Sequence, residues 1–142
     1  MITDIVYYTH SALLRKWLPV QFDLTRPIYL QIVDNICRRV ARGELPPGAR
    51  LPSLRDPALE LEVNPNTVQH AYQELERRGL TFTRRGEGTF LSEDPQLVDR
   101  LRQELAGRAA ERYLAEMGEA GFSPAEALVA LQERVKIAER GV

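Results

Sequence analysis

Two short stretches with apolar residues at helical spacing, parted only by Glu62-Val63 and a fresh start signal at Asn64-Pro65, constrain this chain more than any other feature. Asn suits a helix N-cap because its side-chain oxygen accepts from an unpaired backbone N–H. Pro suits the first helical position because the N–H it lacks would have no partner there. The stretch before the turn runs from Leu54 to about Leu61, with Ser53 as its expected N-cap. The stretch after it buries Val68, Ala71, Tyr72 and Leu75 and stops at Gly79. Two short helices joined by so brief a turn form a helix-turn-helix.

The flanking segments extend that unit. From Pro27, the residues Ile28, Ile32, Ile36 and Val40 recur every four positions, the stripe of an amphipathic helix that Gly43 ends. Glu44-Leu45-Pro46-Pro47-Gly48 follows as a non-helical connection. Past Gly79 the period falls to two: Leu80 and Phe82 alternate with Thr81 and Thr83. Thr89-Phe90-Leu91 then returns after the basic tip Arg84-Arg85-Gly86-Glu87-Gly88, so a β-hairpin is expected.

From Asp94-Pro95 the helical period resumes. Leu97, Leu101 and Leu105 mark a long helix to about Met117, Gly118 to Gly121 break it, and Ser123-Pro124 start a last helix carrying Leu128, Leu131 and Val135. Two such helices bury their apolar faces poorly alone, which calls for a partner. The expected fold is therefore mainly α with a small β-hairpin wing: a winged helix-turn-helix followed by two C-terminal dimerisation helices. Its domains are an N-terminal extension (1–21), a DNA-binding domain (22–92) and a helical dimerisation tail (93–142).

Bulk properties narrow the function by exclusion. One cysteine, Cys37, allows no intramolecular disulfide, and two histidines leave little for a metal site, so neither metal nor cofactor is expected. Nothing approaches a membrane span, and residues 1–20 lack a small-residue cleavage site, which gives a cytoplasmic location by default. The net charge of −1 does not point to nucleic acid, and only its placement is informative. Residues 21–92 hold ten arginines against nine carboxylates, clustered at Arg38-Arg39, Arg42, Arg77-Arg78 and Arg84-Arg85. Arginine forks suit phosphates and guanine edges.

The run Pro27-Ile28-Tyr29-Leu30-Gln31-Ile32, then Gly43 through Arg55 with its Leu51-Pro52-Ser53 landmark, resembles the GntR family of bacterial regulators. Val63-Asn64-Pro65-Asn66-Thr67-Val68 and Gly86-Glu87-Gly88-Thr89-Phe90 extend the likeness. The tail of about fifty residues is similar to the YtrA subfamily, in which two helices replace a large effector-binding domain and serve dimerisation. Two departures stand out. Pro57 would fall at the fourth helical position after a Ser53 cap, where an N–H is normally donated. Glu62 stands where the family commonly has Gly, so a different turn conformation is expected there.

In a helix-turn-helix the start of the second helix meets base edges. That assigns DNA contact to Asn64, Asn66, Thr67, Gln69 and His70, with capping alone as the plainer role for Asn64. The resemblance implies DNA contact for Arg55 beside Ser53. Arg84, Arg85 and Gly86 at the hairpin tip suit a narrow minor groove, and Arg38, Arg39, Arg77 and Arg78 are candidates for phosphates. Catalytic and metal-ligating sets are not expected. The leading function is a sequence-specific transcriptional regulator, a repressor binding a palindromic double-stranded DNA operator as a homodimer through Leu97, Leu101, Leu105, Leu128, Leu131 and Val135. One family branch carries an aminotransferase-like domain that uses pyridoxal phosphate. With the sequence ending at Val142 that enzyme reading is not expected, nor is a dedicated effector pocket. The remaining alternative is a winged helix that binds protein and no longer reads DNA.

Overall fold

The computed structural model describes residues 22–141, so the expected extension 1–21 lies outside the described residues. Seven elements follow in order: α1 (Ile28–Ala41), α2 (Arg55–Glu60), α3 (Pro65–Arg77), β1 (Thr81–Arg84), β2 (Gly88–Leu91), α4 (Pro95–Glu119) and α5 (Pro124–Arg140). The chain divides into two compact units, one ending at Leu101 and the other beginning at Arg102.

In the first unit, the stripe of α1 packs on α3. Ile32, Val33 and Ile36 of α1 and Val68, Ala71 and Leu75 of α3 are buried, and Leu45, Leu51, Ala58, Leu80 and Leu91 complete the core. Tyr29 of α1 and His70 of α3 stack at 4.1 Å with an interplanar angle of 16°. Arg39, a candidate for phosphate contact, is instead 1% exposed and salt-bridged to Glu44, with Nε–Oε2 at 3.4 Å. It lies on the inner face of α1, and burial holds its pKa below the usual arginine value.

The entry to α2 differs from expectation in a way that makes Pro57 harmless. The helix begins at Arg55, with Leu54 in the cap position and no side-chain cap. Ser53 Oγ hydrogen-bonds to the Asp56 carboxylate at 3.4 Å instead. Pro57 is therefore the third helical residue, whose N–H would have had no helical partner. The first i→i−4 bond, Ala58 N to Leu54 O at 3.2 Å, falls just after it.

The turn after α2 keeps its left-handed conformation despite the side chain. Glu62 has φ 55. Its N–H bonds Leu59 O at 3.3 Å while Val63 N–H bonds Ala58 O at 3.0 Å, the paired bonds of a Schellman motif. Gly43 and Gly79 end α1 and α3 with the same pair of bonds. Glu62 thus accepts a left-handed backbone that glycine takes without cost.

The hairpin pairs Thr81 with Leu91, Phe82 with Phe90, Thr83 with Thr89 and Arg84 with Gly88. Residues 49–51 run beside β2, with Leu51 N to Thr89 O and Leu91 N to Ala49 O both at 2.8 Å and a bridge between Arg50 and Phe90. The inward face is carried by Thr81 and Leu91, not by Phe82. Phe82 and Phe90 stack on the opposite face at 5.7 Å, half-buried, because Leu80 lies before the strand and leaves Thr81 as its first inward residue.

In the second unit, α5 opens on a capping box between Ser123 and Glu126. Tyr113 of α4 donates a 2.7 Å hydrogen bond to Ala127 O, and Ala127 is fully buried. Most of the larger apolar side chains here stay exposed: Leu128 at 56%, Leu131 at 43% and Val135 at 47%, with Leu114, Phe122, Val129 and Ile137 beside them.

Candidate nucleic-acid interface

The wing, the segment just before α2 and one face of α3 border one cleft of about 380 Å³. Each border has a local cause. Asn64 caps α3, its Oδ1 accepting from Asn66 N at 2.8 Å, and Pro65 follows as the first helical residue. The Tyr72 hydroxyl donates to Pro52 O at 2.8 Å, which ties the segment before α2 to α3. Burial pushes the Tyr72 phenol well above its usual value, so it remains a donor across the physiological range.

Asn66 and Gln69 are exposed at the start of α3, and Thr67 is partly so. Ser53 and Gln69 both line the cleft. Arg55 is exposed, and among the described residues no carboxylate lies within ion-pair distance of it. Neither Asp56 nor Glu60, the carboxylates nearest to it along α2, pairs with Arg55. Gln73, which the sequence reading passed over, also faces the cleft. Its signal was available, since it stands one helical turn after Gln69.

His70 is exposed, with one face of its ring stacked on Tyr29 of α1. Asn64 has its side-chain oxygen committed to the cap.

The two wing arginines part company. Arg84 sits over the Phe82 and Phe90 rings, 5.4 and 5.6 Å from their centroids, and reaches Glu87 at 3.8 Å. That places it on the wing face away from Thr83 and Thr89, which line the cleft. Arg85 stands at the tip beside Gly86, exposed and without a carboxylate partner among the described residues.

Ion pairs engage several other arginines. Glu74 accepts from Arg77 at 2.6 and 2.8 Å and from Arg78 at 2.9 Å. The bonds from Arg77 and Arg78 pull its carboxyl down to about 2. Arg42 is paired with Glu44 at 3.0 Å. Left without a carboxylate in the first unit, among the described residues, are Arg38, Arg50, Arg55 and Arg85. Arg50 is the member of that set which sequence reasoning missed, because it lies in a connection with no periodic signal.

Of the apolar residues expected to serve an interface, Leu101 is already buried within the first unit. Leu97 and Leu105 are half-buried, whereas Leu128, Leu131 and Val135 are exposed. Among the described residues no group of His, Cys, Asp and Glu side chains could hold a metal ion. No helix among them is long and apolar enough to cross a membrane.

Residues 28–91 match the profile of the bacterial regulatory proteins of the gntR family. The chain is 46% identical over 108 residues to the HTH-type transcriptional regulator YhcF of Bacillus subtilis, covering 76% of this chain and 89% of that protein. It is 47% identical over 68 residues to the transcriptional repressor YtrA of the same organism, covering 48% of this chain and 52% of YtrA. Among solved structures, a GntR family transcriptional regulator from Listeria monocytogenes superposes with a TM-score of 0.73 at 36% identity, covering 79% of this chain and 98% of that one. A transcriptional regulator from Oenococcus oeni gives 0.66 at 31% identity, covering 84% and 99%. These relatives are regulators and not enzymes. The chain belongs to the GntR family of DNA-binding bacterial transcription regulators, with a winged helix-turn-helix and YtrA among its relatives.

Proposed function

We propose that this chain is a repressor that binds a palindromic operator in duplex DNA as a homodimer. The observation that carries the DNA-reading part is the shared border of one cleft. Ser53 beside Arg55, Gln69 on α3 and the wing all meet there, with polar groups that have no task in the core. α3 enters the major groove, where Gln69 and Asn66 offer bidentate amides to adenine and Thr67 meets a thymine methyl or a phosphate. Arg55 supplies a guanidinium fork for guanine, and Arg85 with Gly86 reaches the adjacent minor groove.

The homodimer rests on the exposed Leu128, Leu131 and Val135, more apolar surface than a small helical pair normally leaves to water. A two-fold dimer matches two half-sites about one helical turn or a multiple apart, hence the palindrome. Occlusion of the promoter accounts for repression, and a cytoplasmic location goes with that role. The domain scheme that fits is a DNA-binding region through residue 92, an assembly tail from 93, and an extension over 1–21. Selection of bound duplexes from a random pool with the full chain tests the reading. A two-fold symmetric consensus supports it, and recovery of no enriched sequence contradicts it.

A further inference from the structure

We propose that the face of the wing turned away from the cleft is a docking surface for a second protein, and that it takes an acidic segment with an apolar side chain among its carboxylates. The DNA-binding reading above does not use this face, so the two stand or fall separately. The strand register builds the surface. Arg50 lies opposite Phe90, Phe90 opposite Phe82, and Gly88 opposite Arg84. Directly opposed residues share a side of a sheet, and residues two apart on a strand do too. Arg50, Phe82, Arg84, Gly88 and Phe90 therefore form one face. Thr83 and Thr89 belong to the other, which lines the cleft.

The face joins apolar surface to positive charge. The two phenylalanine rings stack at 5.7 Å and stay only half-buried. Arg84 lies over both, 5.4 and 5.6 Å from their centroids, which holds its guanidinium at one border of the rings. Arg50 leans across β2 into the space above Gly88, where a Cβ would stand 2.9 Å from Nε and 3.3 Å from Nη2. Only glycine leaves that room. Two exposed guanidiniums thus share one small face. Glu87 reaches Arg84 at 3.8 Å, and among the described residues no carboxylate lies within ion-pair distance of Arg50. Like charges held this close repel each other, and a carboxylate from outside relieves the repulsion while accepting paired bonds from a guanidinium fork. The ring edges beside the forks take an apolar side chain. Duplex DNA fits this face less well. It lies on the opposite side of the wing from the cleft, and rings stacked on each other beneath Arg84 offer little to a base.

Random peptides of about twelve residues, displayed on phage and selected against the full chain, test the surface without a partner in hand. Sequences with carboxylates flanking an apolar residue are expected to be enriched. One enriched peptide, synthesised with a fluorescent label, is then titrated by anisotropy. Arg50→Gln and Arg84→Gln are each expected to weaken its binding roughly tenfold, the loss of one charge-assisted contact. Arg134→Gln, at an exposed arginine of α5, is expected to bind it as the native chain does. Replacing the peptide's Glu and Asp by Gln and Asn should abolish binding to the native chain, a readout that a misfolded variant cannot imitate. A chain saturated with operator duplex is expected to hold the peptide as tightly as the free chain. Enrichment without acidic residues, or native affinity in either arginine variant of the wing, overturns the proposal. Displacement of the peptide by duplex overturns it too and assigns the face to nucleic acid.

Discussion

The Tyr72 hydroxyl and the Pro52 carbonyl meet at 2.8 Å, both buried, and this bond couples α3 to the segment that presents Ser53 and Arg55. Tyr72→Phe leaves the carbonyl without its donor and costs about 1–3 kcal/mol of stability. Urea unfolding measures that loss. Because the bond also sets the spacing of Arg55 from α3, DNA affinity is expected to fall at a temperature where the variant is still folded. Unchanged stability contradicts this reading of the bond.

Glu62 carries the one left-handed side-chain residue among the described residues, at φ 55. A left-handed backbone costs a non-glycine residue about 1–2 kcal/mol, partly offset by the greater chain entropy of glycine. Glu62→Gly is therefore expected to raise stability by roughly 0.5–1 kcal/mol in thermal or urea unfolding. A decrease shows that the turn draws support from the Glu62 side chain.

Base readout and wing contact separate by variant. Gln69→Ala and Arg55→Ala are each expected to cost about 1–3 kcal/mol on the operator and to relax base preference at their own positions. Arg85→Ala is expected to weaken binding more than Arg84→Ala, since Arg84 is occupied by two phenylalanine rings and Glu87. Titration of each variant on operator and scrambled duplexes checks the set, and equal losses for the two wing arginines contradict the division between them.

Acid sensitivity follows from Glu74. Its carboxyl, ordinarily near 4.5, is held at about 2 by Arg77 and Arg78, so the folded state binds fewer protons than the unfolded chain. The stability this supplies is complete above about pH 4.5 and is lost as pH falls from there through about 2. Melting temperatures of native protein and Glu74→Gln are expected to converge over that interval. Parallel curves over the interval contradict the assignment.

The apolar face of α5 gives a prediction about assembly. Leu131→Glu with Val135→Glu is expected to halve the sedimenting mass while leaving the first unit folded, because both residues are exposed and take no part in its core. Native protein that already sediments as a monomer contradicts the dimer.

Much of the helix-turn-helix was legible because its signals are local. The fourfold stripe from Ile28 to Val40, the Asn64-Pro65 start and the Gly43 and Gly79 stops each report on a backbone a few residues away. The failures involve longer reach or a shift of one residue. Moving the start of α2 from Leu54 to Arg55 turns Pro57 from an obstacle into an ordinary early helical residue. Leu80 lies before the strand, so the alternation seen in the sequence put Phe82 on the wrong face. Arg39 looked like one of a pair of surface arginines until Glu44, across the end of α1, drew it inward. Arg50 and Gln73 border the cleft only because the wing folds back beside α3, a placement no local pattern announces.

The most direct measurement of the central claim is hydroxyl-radical footprinting of the full chain on a selected operator. A winged helix-turn-helix dimer predicts two protected patches related by a two-fold axis, on one face of the duplex and about one helical turn or a multiple apart, with protection fading as salt rises. No protection at low salt, or a single patch without symmetry, contradicts it.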